Sequence, residues 1–141
     1  MNRKVTTVLR VVPLAAAMGT IFLLSHQPGD RLSLPSFPGA DKLAHMTAYG
    51  ILAGTVFVAF SERWKKNHPR RVVVFTVLFC LVYGISDEFH QSFIPGRSAS
   101  ILDVLADCGG AALACAVWAR WRKRIAMING GQDRTGAFWR S

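Results

Sequence analysis

The sequence predicts an all-α membrane protein, with four transmembrane helices in an antiparallel bundle and both termini cytoplasmic. Hydrophobic residues make up 51% of the 141 and charged residues only 18%, an unusual balance for a water-soluble domain. The apolar residues come in blocks, and four blocks approach the roughly 20 residues that cross a bilayer. The charges between those blocks are segregated by sign. One set holds Arg3, Lys4, Arg10, Arg63, Lys65, Lys66, Arg70, Arg71, Arg120, Arg122, Lys123, Arg124, Arg134 and Arg140, against only Glu62 and Asp133. The other holds Arg31, Lys42 and Arg97 beside Asp30, Asp41, Asp87, Glu88, Asp103 and Asp107. Short loops rich in Lys and Arg stay cytoplasmic, so the first set marks the inside and the second the outside. The net charge of +9 then faces anionic lipid headgroups, and no nucleic-acid partner is expected. The expected location is the cell inner membrane, multi-pass. Residues 1–125 form the membrane domain, and residues 126–141, with Gly130, Gly131 and Gly136, a flexible cytoplasmic tail.

The first span runs from Val5 to Leu24 and contains Pro13, which a membrane helix tolerates. A basic start before an apolar run also suits a secretory signal, but Ser25-His26-Gln27-Pro28 makes a poor cleavage site. The stretch from Ser25 to Ala40 carries Pro28, Pro35, Pro38, Gly29 and Gly39 and is expected to be turn-rich. Asp41 starts the second helix, whose apolar part is Leu43 to Phe60, and Ser61 to Arg71 is a short basic connection. The third span, Arg71 to about Phe89, has its uninterrupted part from Val72 to Ile85 before Ser86, Asp87 and Glu88 intervene. Pro95-Gly96 turns the chain into the fourth span, Ile101 to Trp121. There Ala106, Gly110 and Ala114, four apart, form the small-residue stripe that lets membrane helices approach closely. Cys80, Cys108 and Cys115 lack metal-ligand spacing and read as small packing residues.

The residues able to do chemistry converge on the outer face. Asp41, His45 and Tyr49 follow one another at four-residue steps and form one stripe of the second helix. Tyr83, Asp87 and Gln91 form a second stripe, flanked by Glu88 and His90, and Asp103 and Asp107 form a third. A charge facing lipid costs on the order of 2.5–3.5 kcal/mol at a helix centre, so the stripes are expected to line a shared pocket. Lys42 and Arg97 are the expected counter-charges; the acids outnumber them, which calls for protonation or an added cation. Each residue also has a structural reading. Asp41 and Asp103 suit helix N-termini, Lys42 can snorkel to the interface, and His26 and His68 read as loop residues. Adjacent Asp87 and Glu88 within an apolar segment have no cheap structural purpose.

At these residues the chain resembles the VanZ-like family of small bacterial membrane proteins. The resemblance rests on Ser25 with Gln27-Pro28, on Asp41-Lys42-x-x-His45-x-x-x-Tyr49, and on Tyr83-x-x-x-Asp87-Glu88-x-x-Gln91 leading to Pro95-x-Arg97. Its last block is Asp103-x-x-x-Asp107-x-x-Gly110, where many members carry Asn in place of Asp107. The resemblance implies a four-helix membrane domain in a family whose founding member is associated with resistance to glycopeptide antibiotics such as teicoplanin. It implies no settled reaction.

Three function classes follow. The first is a binding protein whose outer pocket holds a cell-envelope ligand: a lipid headgroup, a peptidoglycan precursor or a glycopeptide antibiotic. Arg97 and Lys42 would meet its anionic groups. The second is an enzyme acting on a lipid-linked substrate at the outer leaflet. Its His45, His90, Asp87, Glu88 and Asp103 would hold a divalent metal, the less favoured occupant, or His45 oriented by Asp41 would act as general base. The third is ion conduction. Only Thr55 and Thr76 bring polar side chains to 50–60 and 72–82, so conduction would need an oligomer. Binding ranks first.

Overall fold

Among the described residues four helices are long and apolar enough to span a membrane, and all consecutive pairs of them run antiparallel. The computed structural model describes residues 3–29 and 37–138, with side chains for 7–29 and 37–128. Its helices are α1 (Arg3–Ser25), α2 (Ala40–Ala59), α3 (Glu62–Asn67), α4 (Pro69–Gln91) and α5 (Ile101–Phe138). Asp30 and Arg31 of the expected turn-rich loop lie outside the described residues. So do the side chains of the expected tail from Asn129 onward, although the α5 backbone is helical to Phe138.

Sequence chemistry accounts for the ends. Gly39 enters α2 with φ 86, a conformation open to glycine at little cost. Pro69 opens α4 at the first helical turn, where its missing N–H is harmless. α4 continues unbroken through Ser86 to Gln91, so Asp87, Glu88 and Gln91 are carried on regular helix. The connection read from the sequence as a simple basic loop contains α3, capped by the Ser61 hydroxyl, which accepts from the Trp64 amide at 3.3 Å. Its strongly basic composition hid it from a search for apolar periodicity.

α2 and α5 make the most extensive contact. They run parallel, both starting at the same end of the bundle. Small residues make this approach: a Cβ on Gly110 would strike the Met46 carbonyl, whereas one on Gly50 would rest 3.5 Å from the Gly110 carbonyl. Around the crossing, Tyr49, Leu52, Ala53, Cys80 and Ala111 form a buried core, and the described cysteines pack as free thiols. Large apolar side chains such as Leu23, Val58, Leu78, Val82 and Leu113 point outward, as a lipid-facing surface requires.

The two ends differ. At the basic end Phe57 stacks on Trp118 at 4.7 Å, and Arg122 lies 4.9 Å over that Trp118 ring while donating to the Lys65 carbonyl. At the acidic end the Gly29 amide donates to the Pro95 carbonyl at 3.3 Å, and a Cβ on Gly29 would meet the Gly96 carbonyl. That contact clasps the end of α1 onto the α4–α5 turn that carries Arg97.

Candidate functional site

The topology brings the last turns of α1 and α4 and the first turns of α2 and α5 to one end. There the polar side chains sort into three networks. In the first, the Ser25 hydroxyl donates to Asp87 Oδ2 at 2.8 Å and Gln91 Nε2 donates to the same oxygen at 3.0 Å, all three residues being buried. In the second, Lys42 Nζ donates to Asp41 Oδ2 and Asp103 Oδ1, both at 2.7 Å, and so bridges α2 to α5. In the third, His45 Nδ1 lies 3.0 Å from Asp107 Oδ1. An ionised Asp107 only accepts, so with it Nδ1 carries a proton, and in the neutral imidazole Nε2 then carries the lone pair. Glu88 Oε2 accepts from the Ser100 amide at 2.8 Å, tying α4 to the turn before α5.

Among the described residues four buried polar side-chain atoms have no hydrogen bond: Tyr49 OH, Glu88 Oε1, Arg97 Nε and Asp107 Oδ2. Asp107 is fully buried, and Gly84 makes its space, since a Cβ there would lie 2.8 Å from Asp107 Oδ2 and 3.4 Å from the Tyr49 ring. Buried groups of this kind are almost always satisfied in native proteins, each orphan costing about 1–3 kcal/mol, so four at one end call for an occupant.

A cavity of about 100 Å³ opens beside them. Asp41, His45, Tyr49, Asp87 and Arg97 give it a polar side, and Ile21 and Leu24 of α1 with Ala44 and Ala48 of α2 an apolar one. The alanines matter because larger residues at these α2 positions would fill the space.

The three expected stripes therefore meet, but with different partners. His45 pairs with Asp107 across the helix crossing, while Asp41, one turn before it on α2, is engaged by Lys42. Lys42 serves as counter-charge; Arg97 forms no ion pair among the described residues. Tyr83 turns away, donating to the Met18 carbonyl at 2.7 Å. His90 also leaves the group: it shares a 3.2 Å hydrogen bond with His26 and stacks on Phe22 at 4.8 Å. Of the five residues considered for a metal, His45, Glu88 and Asp103 come together, with ligand-capable atoms all within 4.8 Å of one another. Asp87 is instead held by Ser25 and Gln91. Sequence reasoning missed Ser25 and Gly84 as site residues. Ser25 carried one signal, its place at the head of the Ser25-x-Gln27-Pro28 block.

A family model described as VanZ/LLP1 matches residues 3–122, from the start of α1 well into α5. No curated protein and no solved structure matches the chain.

Proposed function

Because the chain belongs to the VanZ/LLP1 family, as a multi-pass membrane protein, we propose that its acidic end is an extracytoplasmic pocket for the polar head of a cell-envelope lipid or lipid-linked precursor. Both termini are then cytoplasmic, the membrane is the inner one, and residues 1–125 are the functional unit with 126–141 as an appendage. The segregation of Lys and Arg to the opposite end supports that orientation.

The observation that carries the reading is Arg97 at the wall of the cavity, its Nε buried and unpartnered, with Tyr49, whose hydroxyl is also unpartnered, lining the same cavity. A guanidinium offers a planar fork suited to phosphate or carboxylate. Across the cavity Asp41 and Asp87 suit an amine or hydroxyl, and the apolar wall from α1 and α2 suits the first carbons of a lipid. A space of about 100 Å³ lies far below the roughly 300–1,000 Å³ of drug-sized pockets, which favours a headgroup over a whole glycopeptide.

Thermal unfolding of detergent-purified protein tests this against short-chain phosphatidylethanolamine, phosphatidylglycerol, a polyprenyl pyrophosphate and teicoplanin. A ligand that binds only the folded state raises the apparent midpoint. At least one phospholipid or polyprenyl compound is expected to do so in wild type and not in R97A. Equal shifts in both proteins, or none with any compound, overturn the reading; a shift with teicoplanin alone reassigns the ligand.

One observation favours a second reading, an enzyme acting on a lipid-linked substrate. Asp107 holds the His45 ring so that Nε2 is the basic nitrogen, as a general base requires. Loss of turnover with retained binding in H45N would put this reading first.

A further inference from the structure

Three side chains at the acidic end each commit one atom to the protein and leave another bare. His45 gives Nδ1 to Asp107 and keeps Nε2; Glu88 gives Oε2 to the Ser100 amide and keeps Oε1; Asp103 gives Oδ1 to Lys42 and keeps Oδ2. None of the three spare atoms has a hydrogen bond among the described residues. Glu88 is only 5% exposed, and its Oε1 is buried without a partner. The three residues come from α2, α4 and α5, yet one ligand-capable atom of each lies within 4.8 Å of those of the other two.

All three spare atoms are acceptors. A water molecule offers two protons, whereas a cation among the three residues can take a lone pair from each. Charge points the same way: among the described residues, Asp41, Asp87, Glu88, Asp103 and Asp107 share this end with Lys42 and Arg97 as the Lys and Arg counter-charges, an excess that a divalent ion reduces. We propose that His45, Glu88 and Asp103 form a divalent-cation site, with Asp107, Lys42 and the Ser100 amide as the groups that aim its ligands.

A ligating imidazole whose other ring nitrogen donates to a carboxylate is the recurrent arrangement of protein metal sites, because the second bond fixes the tautomer and the ring plane. His45 and Asp107 have it. One imidazole nitrogen with two carboxylate oxygens suits Zn²⁺ or Mn²⁺ better than Mg²⁺ or Ca²⁺, which favour all-oxygen shells. Three protein ligands leave a further position open, as in sites that handle a ligand or water. His45 also lines the cavity, so the cation site adjoins the proposed headgroup pocket. The cation site does not depend on the headgroup reading.

The test uses untagged full-length protein in detergent, stripped with a chelator, desalted and reloaded with Zn²⁺ or Mn²⁺. Metal content is measured by mass spectrometry, affinity by competition with a chromophoric chelator, and Co²⁺ supplies a visible spectrum in wild type. One ion per chain is expected. E88Q and D103N are expected to weaken binding by about tenfold or more, a loss of the size that even outer partners of metal ligands cause. E62Q removes an acid of α3 at the opposite, basic end, where it pairs with Lys65, and is expected to bind within a factor of about three of wild type. Circular dichroism and gel filtration establish that each variant is folded, and the wild-type Co²⁺ spectrum needs no variant. The proposal is overturned by less than half an ion per chain, by E88Q and D103N binding as wild type, or by E62Q losing as much as they do. Headgroup binding that persists in chelated protein would separate failure of this site from failure of the pocket.

Discussion

Ser25 and Asp87, 62 residues apart in sequence, meet through a buried 2.8 Å hydrogen bond that fastens the end of α1 to α4. A single hydroxyl thus helps hold a buried carboxylate in place, with Gln91 as the second donor.

Removing that hydroxyl leaves Asp87 one donor short. S25A is expected to destabilise the protein by about 1–3 kcal/mol, read as a lower midpoint in thermal or denaturant unfolding in detergent. A double variant, S25A with D87N, is expected to recover part of the loss, because the charge that needed the hydroxyl has gone. An unchanged midpoint in S25A would show that the bond is not formed in solution.

Two glycines at the same helix crossing are expected to behave differently. G110A drives a Cβ into the Met46 backbone carbonyl, which has no flexible end to yield, so a large loss of stability follows, of about 1–3 kcal/mol as for an overpacked core. G50A places its methyl 3.5 Å from the Gly110 carbonyl, an ordinary contact, and is expected to leave the midpoint unchanged or slightly raised. Equal effects would place the crossing elsewhere.

Asp107 keeps one oxygen on His45 and leaves the other bare and buried. Asn retains the acceptor for His45 Nδ1–H and removes a negative charge from a crowded acidic end. In chelated protein D107N is expected to raise the unfolding midpoint by a few degrees, as relief of a costly site charge does. A fall in midpoint would mean that the negative charge itself stabilises the metal-free fold.

Orientation is testable by labelling. S98C, on the exposed α4–α5 turn, is expected to react with a membrane-impermeant maleimide in intact cells, and N67C, at the end of α3, only after lysis. The reverse pattern would put the pocket in the cytoplasm and remove the envelope ligand from consideration.

The four spans were legible because each is a long apolar block, and steps of four residues were enough to put the acids at one end. Pairings between helices were not. At about 100° per residue, Asp87 faces Ser25 of α1 while adjacent Glu88 faces Ser100, and nothing within α4 says which neighbour stands on which side. For the same reason Asp41 was the natural partner of His45 on paper, being one turn away, whereas Asp107 reaches it across the crossing. Lone residues were harder still. Ser25 has no periodicity to expose it, and the value of Gly84 lies wholly in the Asp107 carboxylate beside it.

The Met46–Gly110 crossing acts as an index pin. α2 and α5 run parallel, so Lys42 with Asp103 and His45 with Asp107 are matched in the same order along both helices, just above the glycine. Sliding one helix by a residue would take Gly110 off the Met46 carbonyl, where a Cβ does not fit, and unmatch both pairs together. Lipid-facing side chains can therefore change freely without disturbing the polar end, while a methyl group added at Gly110, which bears no charge and touches no ligand, would put two cross-helix pairs out of phase.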